Sequence, residues 1–147
     1  MLRVGLTGGI ACGKSHVLRR LAARGLATVD LDRVAHAVTA PGGAAHADVV
    51  AAFGEGVLGP GGSVDRKALG ALVFSDRAAR ERLEALVHPR VREEEARLAA
   101  AAEAEGRPLL VSDAALLVEA GAHLRFDRLV VVHCAPDEQL RRLVARD

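Results

Sequence analysis

The sequence predicts an α/β fold in which a parallel β-sheet is flanked by helices. Short apolar stretches with strand character alternate along the 147 residues with stretches whose apolar residues recur at helical spacing. This alternation is typical of parallel sheets that are covered on both faces. A glycine-rich segment at residues 8–15 joins the first predicted strand to the first predicted helix. The length suits one domain, and 50% of the residues are apolar, which is enough for a core.

The N-terminal third of the chain reads as two strand–helix pairs. Residues 3–7 form the first predicted strand, and apolar residues recur at helical spacing directly after the glycine-rich segment. The second predicted strand, at residues 26–29, runs into the segment 30–32. A helix is expected after that segment and should stop before Pro41, and a further short helix is expected over residues 44–53.

The middle of the chain is predicted to be helical. A glycine-rich connection at residues 54–62 precedes a helical block over residues 65–105, which contains no strand candidate. We expect this block to be an insertion within the domain, because no linker separates it. The dipeptide His88-Pro89 is expected to mark a helix junction, since the residue before a proline avoids the α region. Residues 93–95, three glutamates, are expected to lie on a solvated helix face.

The C-terminal third returns to the strand–helix pattern. A strand is predicted at residues 109–112 and ends at Asp113, and a short helix is expected to start at residues 116–118. Residues 129–132 are predicted to form a fully buried strand. Pro136 is expected to open a last helix.

Residues 8–15 fit the pattern G-x-x-x-x-G-K-[ST], which is known as the P-loop. The glycines let consecutive backbone N–H groups point at an anion, and the following helix adds the positive end of its dipole. Lys14 brings a positive charge to the β- and γ-phosphates, and the Ser15 hydroxyl is placed to bind Mg²⁺. The predicted strand and helix on either side favour this interpretation over a glycine-rich turn that binds nothing. His16 either contacts phosphate at the end of the loop or lies outside the site.

Three acidic residues follow predicted strands and are therefore candidates for the chemistry. Asp30 and Asp32 follow the second strand, and Asp113 follows the third. Ligands of an open parallel sheet bind beyond the carboxyl ends of its strands. A carboxylate there either holds Mg²⁺ or accepts a proton from the attacking hydroxyl. The alternative for each of the three is a helix N-cap.

Composition excludes several other classes of protein. The chain has 20 basic and 19 acidic residues without a dense basic block, and only 2% aromatic residues, so we expect no nucleic-acid partner. No apolar run approaches the length of a membrane span, and the N-terminus resembles a strand rather than a signal peptide. Cys12 and Cys134 match no zinc spacing, so we expect a protein of the reducing cytoplasm. Cys12 is either a reactive thiol or a small residue where only the backbone matters.

Five motifs in the same order resemble the dephospho-coenzyme A kinase family, over essentially the whole chain. They are Gly5–Ile10 running into Gly13-Lys14-Ser15, Asp30-Leu31-Asp32, Asp65-Arg66 and Leu69 leading to Val73-Phe74, Leu86–Pro89, and Asp113 with Leu116–Glu119. The closing segment from Leu140 to Asp147 also resembles the entry into the lid of that family. This ordered set is far more specific than the P-loop pattern alone.

The resemblance implies a P-loop NTPase-like sheet with an inserted helical substrate-binding block at about residues 65–105. It also implies ATP-dependent phosphorylation of the ribose 3′-hydroxyl of dephospho-coenzyme A, the last step of coenzyme A biosynthesis, with ATP and Mg²⁺. In that activity Asp32 would be the base or orienting carboxylate, Lys14 would act on the phosphates and Ser15 would bind the metal. The implied ATP-binding residues are Gly8, Gly9, Ala11, Cys12, Gly13, Lys14, Ser15, His16, Arg142 and Arg146. The implied coenzyme-binding residues are Asp32, His88, Pro89, Asp113, Leu116, Leu117 and Glu119.

Three features depart from the pattern of the family. His16 stands where threonine is usual, and Ala115 stands where proline is usual. The chain ends at Asp147, whereas family members continue with an arginine-bearing lid helix, a further strand and a last helix. We therefore expect the lid and last strand to be absent and the neighbour of the first strand to form an unpaired apolar edge. Two alternatives stay open, namely another small-molecule P-loop kinase and a nucleotide-binding protein without turnover.

Overall fold

The computed structural model describes residues 1–145, so Arg146, which the resemblance assigns to ATP, lies outside the described residues together with Asp147. Four strands and six α-helices are present in this part of the chain. In order they are β1 (Leu2–Gly8), α1 (Lys14–Ala22), β2 (Ala27–Asp30), α2 (Leu31–Thr39), α3 (His46–Phe53), α4 (Arg66–Ser75), α5 (Arg77–Ala104), β3 (Leu109–Asp113), β4 (Arg128–Val132) and α6 (Pro136–Val144). No helix among them is long and apolar enough to cross a membrane.

The chain divides into two compact units. The first comprises Met1–Asp32 and Arg97–Asp147 and contains all four strands; the second comprises Arg33–Ala96. The second unit therefore begins well before the helical block expected at residues 65–105. It holds α3 and α4 entirely, with most of α2 and of α5.

The first unit is built on a parallel sheet with the strand order β2-β3-β1-β4. In the register of β1 with β3, Leu6 lies opposite Asp113, and in that of β2 with β3, Asp30 lies opposite Asp113. Leu6 and Leu110 are buried in the core at the centre of this sheet. The parallel α/β sheet predicted from the sequence is confirmed, and its register brings the carboxyl ends of β2 and β3 side by side.

The prediction that residues 129–132 form a fully buried strand is wrong. β4 lies at the edge of the sheet, and Leu129, Val130 and Val131 are all exposed, Val131 by 57% of its surface. An apolar run indicates a buried strand only when helices cover both faces of it. β4 is thus the apolar edge strand that we expected beside β1.

The helix junction expected at His88-Pro89 is absent. α5 is continuous from Arg77 to Ala104 with Pro89 inside it. A proline removes one backbone hydrogen bond, and a helix of 28 residues retains enough of the others to continue. The side chain of Asp76 accepts hydrogen bonds from the N–H groups of Ala78 and Ala79 and thereby caps the start of this helix.

Two further expectations differ from the structure. Glu95 is buried, so residues 93–95 do not form a solvated face as a set. Three consecutive helical residues point in different directions, and one of them reaches the buried side. Residues 115–121 form turns instead of the expected helix, followed by a 3₁₀ helix at Ala122–Arg125. Gly121 is left-handed, with φ 65°, and ends the turn segment before a helix can propagate.

Candidate active site

The glycine-rich segment is a loop between β1 and α1 that contains two left-handed residues. Gly13 precedes α1 with φ 96°, and Ala11 has φ 58°, the only positive φ of a non-glycine residue among the described residues. The N–H of Cys12 donates to the carbonyl of Gly9 at 3.2 Å, which tightens the turn. Left-handed residues within such a turn direct successive N–H groups toward one side and create an anion-binding concavity.

Gly8 is needed for a different reason from the one we inferred from the P-loop pattern. A Cβ atom at this position would lie 2.3 Å from the carbonyl oxygen of Val132, at the end of β4. The close approach of β1 and β4 therefore requires glycine here, independently of any phosphate. The role of Gly8 in binding phosphate stays a prediction, and its packing against Val132 is a second reason for glycine at this position.

Lys14 joins the loop to the carboxylates at the strand ends. Its Nζ donates to Oδ1 of Asp113 at 2.5 Å, and the two side chains are only 13% and 2% exposed. Burial raises the pKa of the Asp113 carboxyl above its ordinary value, and the charges of Asp30 and Asp32 raise it further. The hydrogen bond and charge of Lys14 lower it in part. The structure thus brings together Lys14 and all three acidic residues that the sequence singled out.

The three carboxylates occupy different local positions. Asp30 is the last residue of β2, Asp32 lies in the first turn of α2, and Asp113 is the last residue of β3. Asp113 accepts from Lys14, so its carboxylate is engaged in the ion pair rather than in a helix cap. Hydroxyl and carboxylate oxygens are the ligands that Mg²⁺ prefers. Ser15 is exposed in the first turn of α1, but within residues 1–145 no group of three or more His, Cys, Asp or Glu side chains is placed to hold a metal ion by itself.

The backbone of the loop also contacts α6. Nη1 of Arg142 donates to the carbonyl oxygen of Ala11 at 3.2 Å, and Nε2 of Gln139 donates to that of Ile10 at 2.9 Å. Arg142, predicted as an ATP ligand, is thus placed against the loop backbone. The sequence analysis missed Gln139, and only its spacing of three residues from Arg142 could have pointed to it.

The residues expected to hold the coenzyme lie in both units and differ in their exposure. His88 is exposed and Pro89 half-buried, and both lie on α5 in the second unit. In the first unit, Leu116 and Glu119 are exposed. Leu117 is buried, and a Cβ on Gly5 would touch its side chain at 3.2 Å, so it packs against β1.

A parallel sheet with a left-handed phosphate loop, a loop lysine and carboxylates at the adjacent strand ends defines the P-loop kinase class. A family profile described as dephospho-CoA kinase matches residues 2–147. The chain belongs to the dephospho-CoA kinase family.

Individual relatives agree with this assignment. A dephospho-CoA kinase of Geobacter sulfurreducens is 49% identical over 144 residues, which cover 98% of this chain and 73% of that protein. A dephospho-CoA kinase of Ralstonia nicotianae is 48% identical, with 98% and 74% covered.

Two solved structures resemble the fold. The crystal structure of TT1252 from Thermus thermophilus has a TM-score of 0.88 and 34% identity, covering 99% of this chain and 72% of that one. A dephospho-CoA kinase from Campylobacter jejuni, at a TM-score of 0.64 and 16% identity, is similar in fold, with 98% and 94% covered.

Proposed function

We propose that this chain transfers the γ-phosphoryl group of ATP to the ribose 3′-hydroxyl of dephospho-coenzyme A, which gives coenzyme A in the last step of its biosynthesis. Membership of the dephospho-CoA kinase family supports this activity over another small-molecule P-loop kinase or a protein without turnover. The single geometric observation that carries the proposal is the Lys14–Asp113 ion pair, which joins the phosphate loop to the carboxylates.

Phosphoryl transfer requires mainly positioning and neutralisation of charge. In the proposed site N–H groups of the loop segment 11–16 hold the phosphates of ATP, and Lys14 balances their charge. The N–H groups of Cys12 and His16 already donate to the carbonyl groups of Gly9 and Gly13, at 3.2 and 2.9 Å. Ser15 and a carboxylate of the cluster hold Mg²⁺, which neutralises charge on the phosphate oxygens when bound. Asp32 accepts the proton of the attacking 3′-hydroxyl or orients that hydroxyl.

The remaining roles concern the coenzyme and the setting of the enzyme. We assign the coenzyme to the helical block, including His88 and Pro89, and to Leu116 and Glu119. Leu117, which the resemblance also implied, is buried against β1 and is left out of this assignment. Asp113 pairs with Lys14 and also contributes to binding of the substrate. The whole chain forms one P-loop kinase domain. The substrate is a small molecule, and a cytoplasmic setting fits cysteines that are free in this structure.

A coupled ADP-release assay with ATP, Mg²⁺ and dephospho-coenzyme A tests the proposal, with a no-acceptor control and chromatography of the product. We expect acceptor-dependent ADP release and coenzyme A as the product. Asp32→Asn should lower kcat by a factor of about 100 or more if Asp32 is the base. Asp30→Asn is the matched control, since it removes a carboxylate from the same cluster, and it should cost much less.

Two results would contradict the proposal. ADP release that does not depend on the acceptor would refute the activity. Equal losses in the two variants would refute the assignment of the proton acceptor to Asp32.

A further inference from the structure

The carbonyl groups of the phosphate loop need partners on the side away from the ligand. When N–H groups of a loop turn toward an anion, the neighbouring carbonyl groups turn outward. Here the carbonyl oxygens of two adjacent residues, Ile10 and Ala11, accept hydrogen bonds from the side chains of Gln139 and Arg142 at 2.9 and 3.2 Å. The two donors are three residues apart on α6, so they lie on one face of that helix.

These two hydrogen bonds bracket the one non-glycine residue with a left-handed backbone in the described chain. Ala11 has φ 58°, a conformation that residues with a Cβ atom rarely adopt. One bond holds the carbonyl just before Ala11, and the other holds the carbonyl of Ala11 itself. Such a conformation persists where surrounding contacts stabilise it, and α6 supplies two of these contacts.

The donors are themselves held in place. Oε1 of Glu138 accepts from Nε of Arg142 at 2.6 Å. Hydrogen bonds from Arg141 and Arg142 hold the pKa of the Glu138 carboxyl below its ordinary value, so Glu138 is ionised and Arg142 stays oriented. Nε2 of Gln139 also donates to Sγ of Cys12 at 3.2 Å, which adds a third contact with the loop.

We propose that Gln139 is a positioning residue for ATP binding, which together with Arg142 keeps the backbone of Ile10 and Ala11 in the conformation that directs the loop N–H groups at the phosphates. This inference rests on the proposed function in one respect, that the loop binds ATP. Gln139 acts through the loop backbone and not on the reacting atoms. If only a fraction of the molecules hold the loop in the ATP-binding conformation, the apparent Kd for ATP equals the intrinsic Kd divided by that fraction.

The test compares Gln139→Met and Gln139→Glu with the wild-type chain. Methionine keeps the length of the side chain without a donor, and glutamate keeps the shape with an acceptor in place of the donor. We expect the Kd for ATP, measured calorimetrically with Mg²⁺, to rise about fivefold in Gln139→Met, the effect of one lost hydrogen bond. It should rise further in Gln139→Glu, because the carboxylate repels the Ile10 carbonyl oxygen.

Leu140→Met is the matched control on the same helix. The Leu140 side chain is 63% exposed and takes no part in the hydrogen bonds between α6 and the loop, so its replacement should leave the Kd for ATP unchanged. A purely structural role of Gln139 would lower the melting temperature and the active fraction, and hence kcat, without changing KM. A positioning role raises KM for ATP and leaves KM for dephospho-coenzyme A unchanged.

A second variant tests the cause directly. Ala11→Gly in the Gln139→Met background should restore part of the affinity for ATP, since glycine occupies the left-handed region without strain. An ATP Kd of Gln139→Met within about twofold of wild type would overturn the proposal. Wild-type ATP binding without acceptor-dependent turnover would instead refute the proposed function and leave the role of Gln139 to be judged from the Kd values.

Discussion

At the scale of single residues, Asp113 shows how the fold sets the chemistry of a side chain. The carboxyl group is buried at the end of β3 beside two other carboxylates, and Lys14 is its hydrogen-bonded cation. Burial and like charges outweigh the cation, so the pKa of Asp113 is raised.

This raised pKa predicts how stability depends on pH. The folded chain binds the Asp113 proton more tightly than the unfolded chain, so the free energy of unfolding should fall as pH rises from the ordinary value of 3.8 through the raised pKa. Asp113→Asn lacks this pH-dependent contribution to the free energy of unfolding. The stability of the variant relative to that of wild type should therefore increase as pH rises across that interval. Urea unfolding of both chains from about pH 4 to about pH 7 measures the difference. A difference that does not change with pH would contradict the prediction.

At the scale of elements, four parts of the chain meet at the loop. β1 leads into it, α1 begins after it, α6 contacts its outward carbonyl groups, and the end of β4 lies against Gly8. The backbone contact between Gly8 and Val132 sets how closely β1 and β4 approach each other. The position of the loop relative to the sheet therefore depends on strand packing as much as on the loop sequence.

Two glycine-to-alanine changes should act in opposite directions. In Gly8→Ala the new Cβ would lie 2.3 Å from the Val132 carbonyl oxygen, so β1 and β4 must separate, at a cost of about 2 kcal/mol or more. Gly70 lies inside α4 with nothing within 4 Å of a Cβ, so Gly70→Ala should stabilise the chain by about 0.5–1 kcal/mol. Denaturant unfolding measures both. An unchanged stability of Gly8→Ala would contradict the packing argument.

At the scale of the whole molecule, the residues proposed to bind ATP and Mg²⁺ and the three carboxylates near them lie within one of the two units. Lys14, Ser15, Asp30, Asp32 and Asp113 all belong to the first unit, with the sheet. The second unit carries helical residues from Arg33 to Ala96, including His88 and Pro89. The residues proposed for ATP and the helical residues proposed for the coenzyme thus fall in separate compact parts of the chain.

Binding of ATP should therefore be measurable as stabilisation without any acceptor. With Mg²⁺ and ATP at about 100 times its Kd, the free energy of unfolding should rise by about 2.7 kcal/mol, and the melting temperature by several degrees. Lys14→Met should show a much smaller shift, because the phosphates would lose the cation proposed to balance their charge. Thermal melts of both chains with and without ATP test this. An equal shift in the variant would argue against the phosphate role of Lys14.

Much of the fold and of the site could be predicted from the sequence because it depends on local patterns. Strand–loop–helix order, the P-loop pattern and acidic residues at strand ends each occupy a few consecutive positions, and parallel pairing brings strand ends together. Other features were mispredicted or missed for one reason. The exposure of β4, the burial of Glu95 and the continuity of α5 through Pro89 depend on what packs against each element.

The sequence by itself determined the α/β class, the phosphate loop with Lys14 and Ser15, and the three carboxylates that gather near them. Only the tertiary structure decided that Gly8 is required by Val132 and that Gln139 and Arg142 hold the loop carbonyl groups. The residues in those two hydrogen bonds are 129 and 131 positions apart in the chain. No periodicity or motif extends over such a separation, because contacts of this range exist only once the strands have paired and the helices have packed.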